Sequence, residues 1–254
     1  MQAFELPNIS GRLRFHDLPG NEPTILFVHG LGCASSCDYP RVAADPSLAG
    51  RRKLLIDLLG SGFSDRPLNF GYAVEDHAGT LCLLIEYLGL SSVDLVGHSM
   101  GGAIAIEVAT RHPRAVRRLI LSEPSLDAGG GIFSRPNAQQ NEADYDAAGH
   151  EKSVRSAVLA GQTIWSASLM KSSPLAVYRS AASLVRGGSP SWREQLRALR
   201  IPRTVIFGVE SLPDPDTEQL SQMGVTVRIV LDAGHSMMHE NPSGFAEAVS
   251  ASLR

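Results

Sequence analysis

Residues 94–106 read DLVGHSMGGAIAI: an apolar run, a turn through three glycines around one serine, then small apolar residues again. The turn is Gly97-His98-Ser99-Met100-Gly101, a G-x-S-x-G placed after a strand pattern and before a helical one. In that setting the motif describes a nucleophile elbow, with the serine held in a strained conformation and its hydroxyl clear of the sheet. Glycines at both ends let strand and helix approach where a Cβ would clash. The following helix opens with free N–H groups and the positive end of its dipole, which aims the N–H of Met100 at a developing oxyanion.

The same alternation runs outward from the elbow. TILFVHG (24–30), KLLID (53–57), VDLVG (93–97), RLILSE (118–123), RTVIFG (203–208) and VTVRIVL (225–231) read as buried strands. Residues 73–90 and 101–113 carry helical spacing, with Glu75 and Asp76 in the first turn of one and Pro113 ending the other. A third helix starts at Asn241 as N-cap with Pro242 at its first position. Strands alternating with helices predict a doubly wound, mostly parallel α/β sheet. Residues 11–19 alternate in polarity and predict an antiparallel edge strand. From Asp127 to Gln195 no strand pattern occurs, and the stretch is too long for a structureless loop. It reads as a helical insertion after the sixth strand, giving a core of residues 1–127 and 196–254 and an inserted unit of 128–195. Phe133, Tyr145, Trp165, Met170 and Tyr178 within it either line a pocket or form its own core.

Composition narrows the function classes. The 254 residues are 43% hydrophobic and 19% charged, which suits one globular unit with a buried core. A net charge of −3 provides no basic surface for nucleic acid. No apolar run reaches the roughly 18 residues a membrane span needs, and the start MQAFELPNISGRLRF has no secretion-signal pattern. Three cysteines, Cys33, Cys37 and Cys82, suit a reducing cytoplasm better than a disulfide framework. Cys33 and Cys37 have no second pair at ligand spacing, so no metal site is expected, and Cys82 reads as a small buried hydrophobe.

A serine needs a base to take its proton. Of the eight histidines, His235 follows the last strand and hangs over the strand ends where Ser99 also lies. His98 is the elbow's own variable residue, His29 belongs to a turn, and His112 precedes a helix-ending proline. His16, His77 and His150 fall in segments that read as exposed, and His239 stands just before a helix cap. The turn VHGLG, His29 to Gly32, offers the N–H of Leu31 as a second oxyanion donor. His29, Gly30, His98 and Trp165 are expected to line the substrate pocket.

With FVHGLG, IDLLGSGFSDRP, LVGHSMGG and DAGHSMMHENP in this order and spacing, the chain resembles the α/β-hydrolase superfamily over nearly its whole length. The resemblance implies Ser99 as nucleophile, His235 as base and the N–H groups of Leu31 and Met100 as oxyanion hole. It also implies a cap or lid formed by the insertion. A serine in the elbow disfavours the aspartate-dependent dehalogenase and epoxide-hydrolase branches.

The third residue departs from the family's common pattern. The aspartate that often follows the strand RTVIFG is replaced by Ser211, a neutral hydroxyl that would stabilise an imidazolium poorly. Asp214 is close, but Asp214-Pro215-Asp216 reads as a helix start. Glu123 ends the strand RLILSE at the carboxyl edge of the sheet, where open α/β folds place their sites. Pro124 biases it toward extended backbone, and the order Ser99, Glu123, His235 keeps the usual nucleophile–acid–base sequence. Glu123 is therefore preferred as acid and Asp214 second, ahead of Asp127, Glu210 and Asp216. Asp232 is too close to His235 along the chain to serve.

These readings predict a serine hydrolase of small carboxylic esters or related acyl compounds, needing no cofactor. The same residues would also serve carbon–carbon, lactone or thioester hydrolysis, or perhydrolysis. A non-catalytic ligand receptor is the alternative of another class, favoured only by Ser211. Oligomeric state is not legible.

Overall fold

The computed structural model describes residues 1–254. Its frame is one sheet of eight strands: β1 (Gln2–Glu5), β2 (Arg12–Leu18), β3 (Asn21–Val28), β4 (Arg51–Asp57), β5 (Val93–His98), β6 (Val116–Ser122), β7 (Arg203–Gly208) and β8 (Thr226–Val230). Their spatial order is β1-β2-β4-β3-β5-β6-β7-β8. The pairs β1/β2 and β2/β4 are antiparallel, and the rest of the sheet is parallel. The antiparallel strand foreseen over residues 11–19 is β2, but it is not the edge. The four residues of β1 lie outside it, too short a run to carry a periodic signal in sequence.

Both faces of the parallel strands are apolar because successive side chains point to opposite sides. Leu26 and Val28 of β3, Leu95 of β5 and Leu119 and Leu121 of β6 enter one buried cluster. Ile25, Phe27, Val96 and Ile120 enter another on the opposite face. The first face is covered by α1 (Val74–Tyr87) and α2 (Met100–Arg111). Between β6 and β7 lie α3 (His150–Leu159), α4 (Thr163–Lys171), α5 (Pro174–Arg186) and α6 (Trp192–Ala198), with no strand among them. The helix α7 (Asp216–Gln222) precedes β8, and α8 (Pro242–Ser252) covers the second face through Phe245 and Val249. The expected boundary at residues 195/196 falls inside α6, a helix whose Trp192 and Leu196 belong to the first buried cluster.

The inserted helices are tied to the core by specific bonds. Arg179 of α5 donates to the Phe70 carbonyl at 3.0 Å, and Ser180 Oγ donates to Tyr72 O at 2.8 Å. Arg179 also pairs with Glu142 at 2.8 Å within the insertion. Among the insertion's aromatics, Tyr145 is buried and packs near Tyr178, whereas Met170 is 59% exposed and takes part in neither core nor pocket.

From β3 the chain first runs outward to β4 and then returns to the other side at β5. This reversal opens a crevice at the carboxyl ends of β3 and β5. The crevice is bordered by the turn after Val28 and the turn after His98.

Candidate active site

Ser99 stands at that crevice with φ +52° and ψ −115°. A positive φ in a residue with a Cβ costs on the order of 1–3 kcal/mol and persists only when its surroundings hold it. Here the Ser99 N–H donates to Ser122 O at 3.0 Å, and its carbonyl accepts from Gly102 at 2.9 Å and Ser125 at 3.2 Å. A Cβ on Gly97 would run into the Gly101 carbonyl, and one on Gly101 into the carbonyls of Val28 and His29. The elbow is therefore closed on three sides by backbone.

Two backbone N–H groups expected to act as oxyanion donors lie on the turns that flank the crevice. The N–H of Leu31 donates to no group of the chain. The N–H of Met100 begins α2, where helical donors have no intrahelical partner. Leu31 lines a cavity of about 620 Å³ together with Ser99, His98, Gly30, Glu123 and His235. The Met100 side chain does not line it and is 3% exposed beneath the elbow.

His235 comes off the segment after β8, and its Nδ1 lies 2.7 Å from Glu123 Oε2. The second carboxylate oxygen of Glu123 accepts the N–H of Gly208 at 3.0 Å. Burial raises the Glu123 pKa. The hydrogen bond and charge of His235, the neighbouring Ser211 hydroxyl and the Gly208 N–H outweigh it and hold the carboxyl below its ordinary value. With a carboxylate at Nδ1, the imidazole carries its proton there and leaves Nε2 free to accept. No Ser99–His235 hydrogen bond is formed, although both side chains border the cavity. Such contacts commonly tighten only with substrate in place.

The backbone at Glu123 differs from expectation. Instead of the extended conformation favoured before proline, φ is +40°. Its N–H continues the sheet by donating to Ile206 O at 3.1 Å, so the chain must turn sharply at this residue to present the side chain to His235. A second strained residue thus sits at the end of β6, the strand next to the one that carries Ser99.

The remaining expected residues fall into place differently. Asp214 borders the cavity, but its Oδ1 accepts the Asp216 N–H at 2.8 Å and it makes no bond to His235. That bond lies at the start of α7, but the helix begins at Asp216 with Pro215 in the cap position, one residue later than Asp214 as N-cap and Pro215 as first helical residue would place it. His29 is fully buried and outside the cavity lining, a correction to its expected pocket role. Its Nδ1–H donates to Gly30 O at 2.8 Å and its Nε2 accepts from Leu58 at 3.0 Å, so the ring braces the turn that presents Leu31. Trp165 lines the cavity and donates from Nε1 to Leu31 O at 3.0 Å, tying α4 to the same turn. The Phe133 ring is tilted against both Trp165 and His235, at centroid distances of 4.8 Å and 5.7 Å. His77, read as exposed, is 1% exposed among Phe70 and Tyr72, and His16 and His150 are half-buried. Gly208 was not foreseen as a site residue. A Cβ there would strike the carbonyls of Ala233 and Gly234, so its absence lets the His235 segment cross the end of β7.

Comparison with known proteins agrees with this architecture. A family model described as the alpha/beta hydrolase fold matches residues 23–242. The chain belongs to the alpha/beta hydrolase fold family. A 2-hydroxy-6-oxo-2,4-heptadienoate hydrolase of Pseudomonas putida is 37% identical over 107 residues, 42% of this chain and 38% of that protein. Among solved structures, an enol-lactonase from Burkholderia xenovorans superposes with TM-score 0.81 at 19% identity, covering 99% of each chain. A thermophilic esterase from Thermogutta terrifontis superposes with TM-score 0.78 at 22% identity, covering 96% of this chain and 93% of that one. At those identities the structural matches speak for the fold alone. The chain spans less than two fifths of the length of the Pseudomonas relative it matches.

Proposed function

We propose that the protein is a serine hydrolase that cleaves small carboxylic esters or closely related acyl compounds. The observation that carries this reading is the 2.7 Å bond between His235 Nδ1 and Glu123, made at the rim of the cavity that also holds the strained Ser99. Ser99 Oγ attacks the carbonyl carbon while His235 Nε2 takes its proton. The oxyanion accepts hydrogen bonds from Leu31 and Met100 N–H. Collapse breaks the bond to the leaving group, which takes the proton from His235. Water, activated by the same nitrogen, then releases the acyl group and restores Ser99. Glu123 orients the ring and stabilises its cationic form. The helical insertion, residues 128–195, acts as a cap over this chemistry, with Phe133 and Trp165 facing the reaction. The three thiols are free, which suits the reducing cytoplasm in which we place the protein.

A second reading keeps the residues and changes the bond. The 37% identity to a hydrolase named for a 2-hydroxy-6-oxo-dienoate favours carbon–carbon cleavage as the runner-up. A panel of a short-chain nitrophenyl ester, a lactone and a vinylogous diketone separates the two by relative kcat/KM. The ester or lactone is expected to be preferred, with activity lost in Ser99→Ala. Preference for the diketone would move the assignment to carbon–carbon hydrolysis. Binding of these compounds without turnover would favour the receptor alternative.

A further inference from the structure

We propose that His98, the residue before the nucleophile, is a positioning residue that fixes the base and the oxyanion turn relative to each other. The inference rests on the serine-hydrolase reading above and adds a residue to it. His98 is 4% exposed, and its Nε2 lies 2.9 Å from the backbone carbonyl of His235. A carbonyl only accepts, so Nε2 carries the proton and donates, and Nδ1 bears the lone pair. That Nδ1 is buried without a hydrogen-bond partner. It faces Gly30: a Cβ built there would lie 2.9 Å from it, so the ring fills the space that a side chain at Gly30 would need. On its other side the ring lies 4.7 Å from the His235 ring by centroid.

One side chain therefore contacts both the base segment and Gly30 at the start of the oxyanion turn, while its own backbone leads into Ser99. The bond to His235 O completes a set of constraints on the base segment. Glu210 N–H donates to Ala233 O at 3.0 Å, Gly234 N–H donates to Glu240 Oε2 at 2.8 Å, and Glu123 takes Nδ1. Only the His98 bond fixes the backbone at His235 itself, and hence where the ring starts. Burial, followed by the neighbouring His235 charge, pushes the His98 pKa well below its ordinary value. The ring stays neutral while His235 cycles through its cation, so it adds no repulsion to the step it supports. An orphaned buried nitrogen is tolerated here because turning the ring to satisfy it would release the carbonyl.

The test compares His98→Leu with His98→Gln in the full chain, using a short-chain nitrophenyl ester. Glutamine carries an amide N–H at the reach of Nε2, whereas leucine has none. His98→Leu is expected to lower kcat by about 10- to 100-fold, the scale of small misplacements of a catalytic group, with KM changed less than about threefold. The acid limb of its pH–kcat/KM profile should move, and His98→Gln should recover most of the rate. Native kcat and pH profile in His98→Leu would overturn the proposal. So would equal losses in both variants that track a loss of stability, since His98 would then be core packing only. Nitrogen NMR of the wild-type protein tests it without any variant. A neutral Nε2–H tautomer throughout the active pH range is expected, and an Nδ1–H tautomer or a titrating His98 would contradict it. Absence of turnover by the wild-type protein would count against the serine-hydrolase reading, while the tautomer would still decide the geometry claimed for His98.

Discussion

At the scale of single residues, the site places its strain where the chemistry is proposed. Ser99 and Glu123 both have positive φ, at +52° and +40°, and each is held by sheet-extending hydrogen bonds. In the proposed mechanism the acid stands at the end of β6 rather than after β7, where Ser211 lies, and the Ser211 hydroxyl neighbours the Glu123 carboxylate. Exchanging Glu123 for Gln keeps the shape but removes the charge that stabilises the His235 cation. We expect kcat/KM to fall by about 10²- to 10⁴-fold with the fold intact, measured by steady-state kinetics beside an unfolding curve. An unchanged rate would remove Glu123 from the mechanism. In Asp214→Asn the amide oxygen can still accept the Asp216 N–H, and the rate should stay within about threefold of native. The proximity of Glu123 to His235 was legible because strand order and the position of Glu123 pointed to one edge of the sheet. The backbone conformation of Glu123 was not. The proline rule describes a local preference, and the demand that Glu123 both extend the sheet and face His235 overrides it.

At the scale of elements, helix ends were the most readable features and short strands the least. Asn241 caps α8 as expected: its Oδ1 accepts the Gly244 N–H at 2.9 Å, and its Nδ2 donates to Leu231 O at 2.8 Å. Asn241→Ala should destabilise the protein by about 1 kcal/mol or somewhat more, read from urea unfolding midpoints at constant slope. A change below a few tenths would mean that α8 is held by packing alone. Parallel strands were visible because both faces bury apolar residues, giving unbroken runs. By contrast β1 pairs through backbone and buries only Phe4, so nothing in its sequence marks it as a strand. The insertion was readable as helical and, by resemblance, as a cap, but its contacts were not, because pairs such as Trp165 and Leu31 join residues 134 positions apart.

At the scale of the whole molecule, burial of neutral histidines couples the fold to pH. Burial drives the His77 pKa down to about 3, and His98 is displaced in the same direction. The unfolded chain binds these protons near the ordinary histidine value of about 6.5, so it holds more protons than the folded chain below that pH. Stability is therefore full above about pH 6.5 and falls as pH drops toward the folded values. The depressed Glu123 adds a loss in the same direction at lower pH. Each buried histidine contributes up to about 1.4 kcal/mol per pH unit. His77→Leu should lower the slope of unfolding free energy against pH between pH 6 and 5 by about that amount. An unaltered slope would show that His77 is not held neutral by the fold. His77 was misread as exposed because its helix places it among Phe70, Tyr72 and α5, a neighbourhood set by tertiary packing.

The central claim is that Ser99 forms a covalent acyl intermediate. Pre-steady-state release of nitrophenol from a short-chain nitrophenyl ester, with Ser99→Ala beside the native protein, tests it most directly. The account predicts a burst stoichiometric with enzyme that disappears in the variant. Turnover that survives Ser99→Ala would contradict it, because the strained turn at residues 97–101 would then have no part in the reaction.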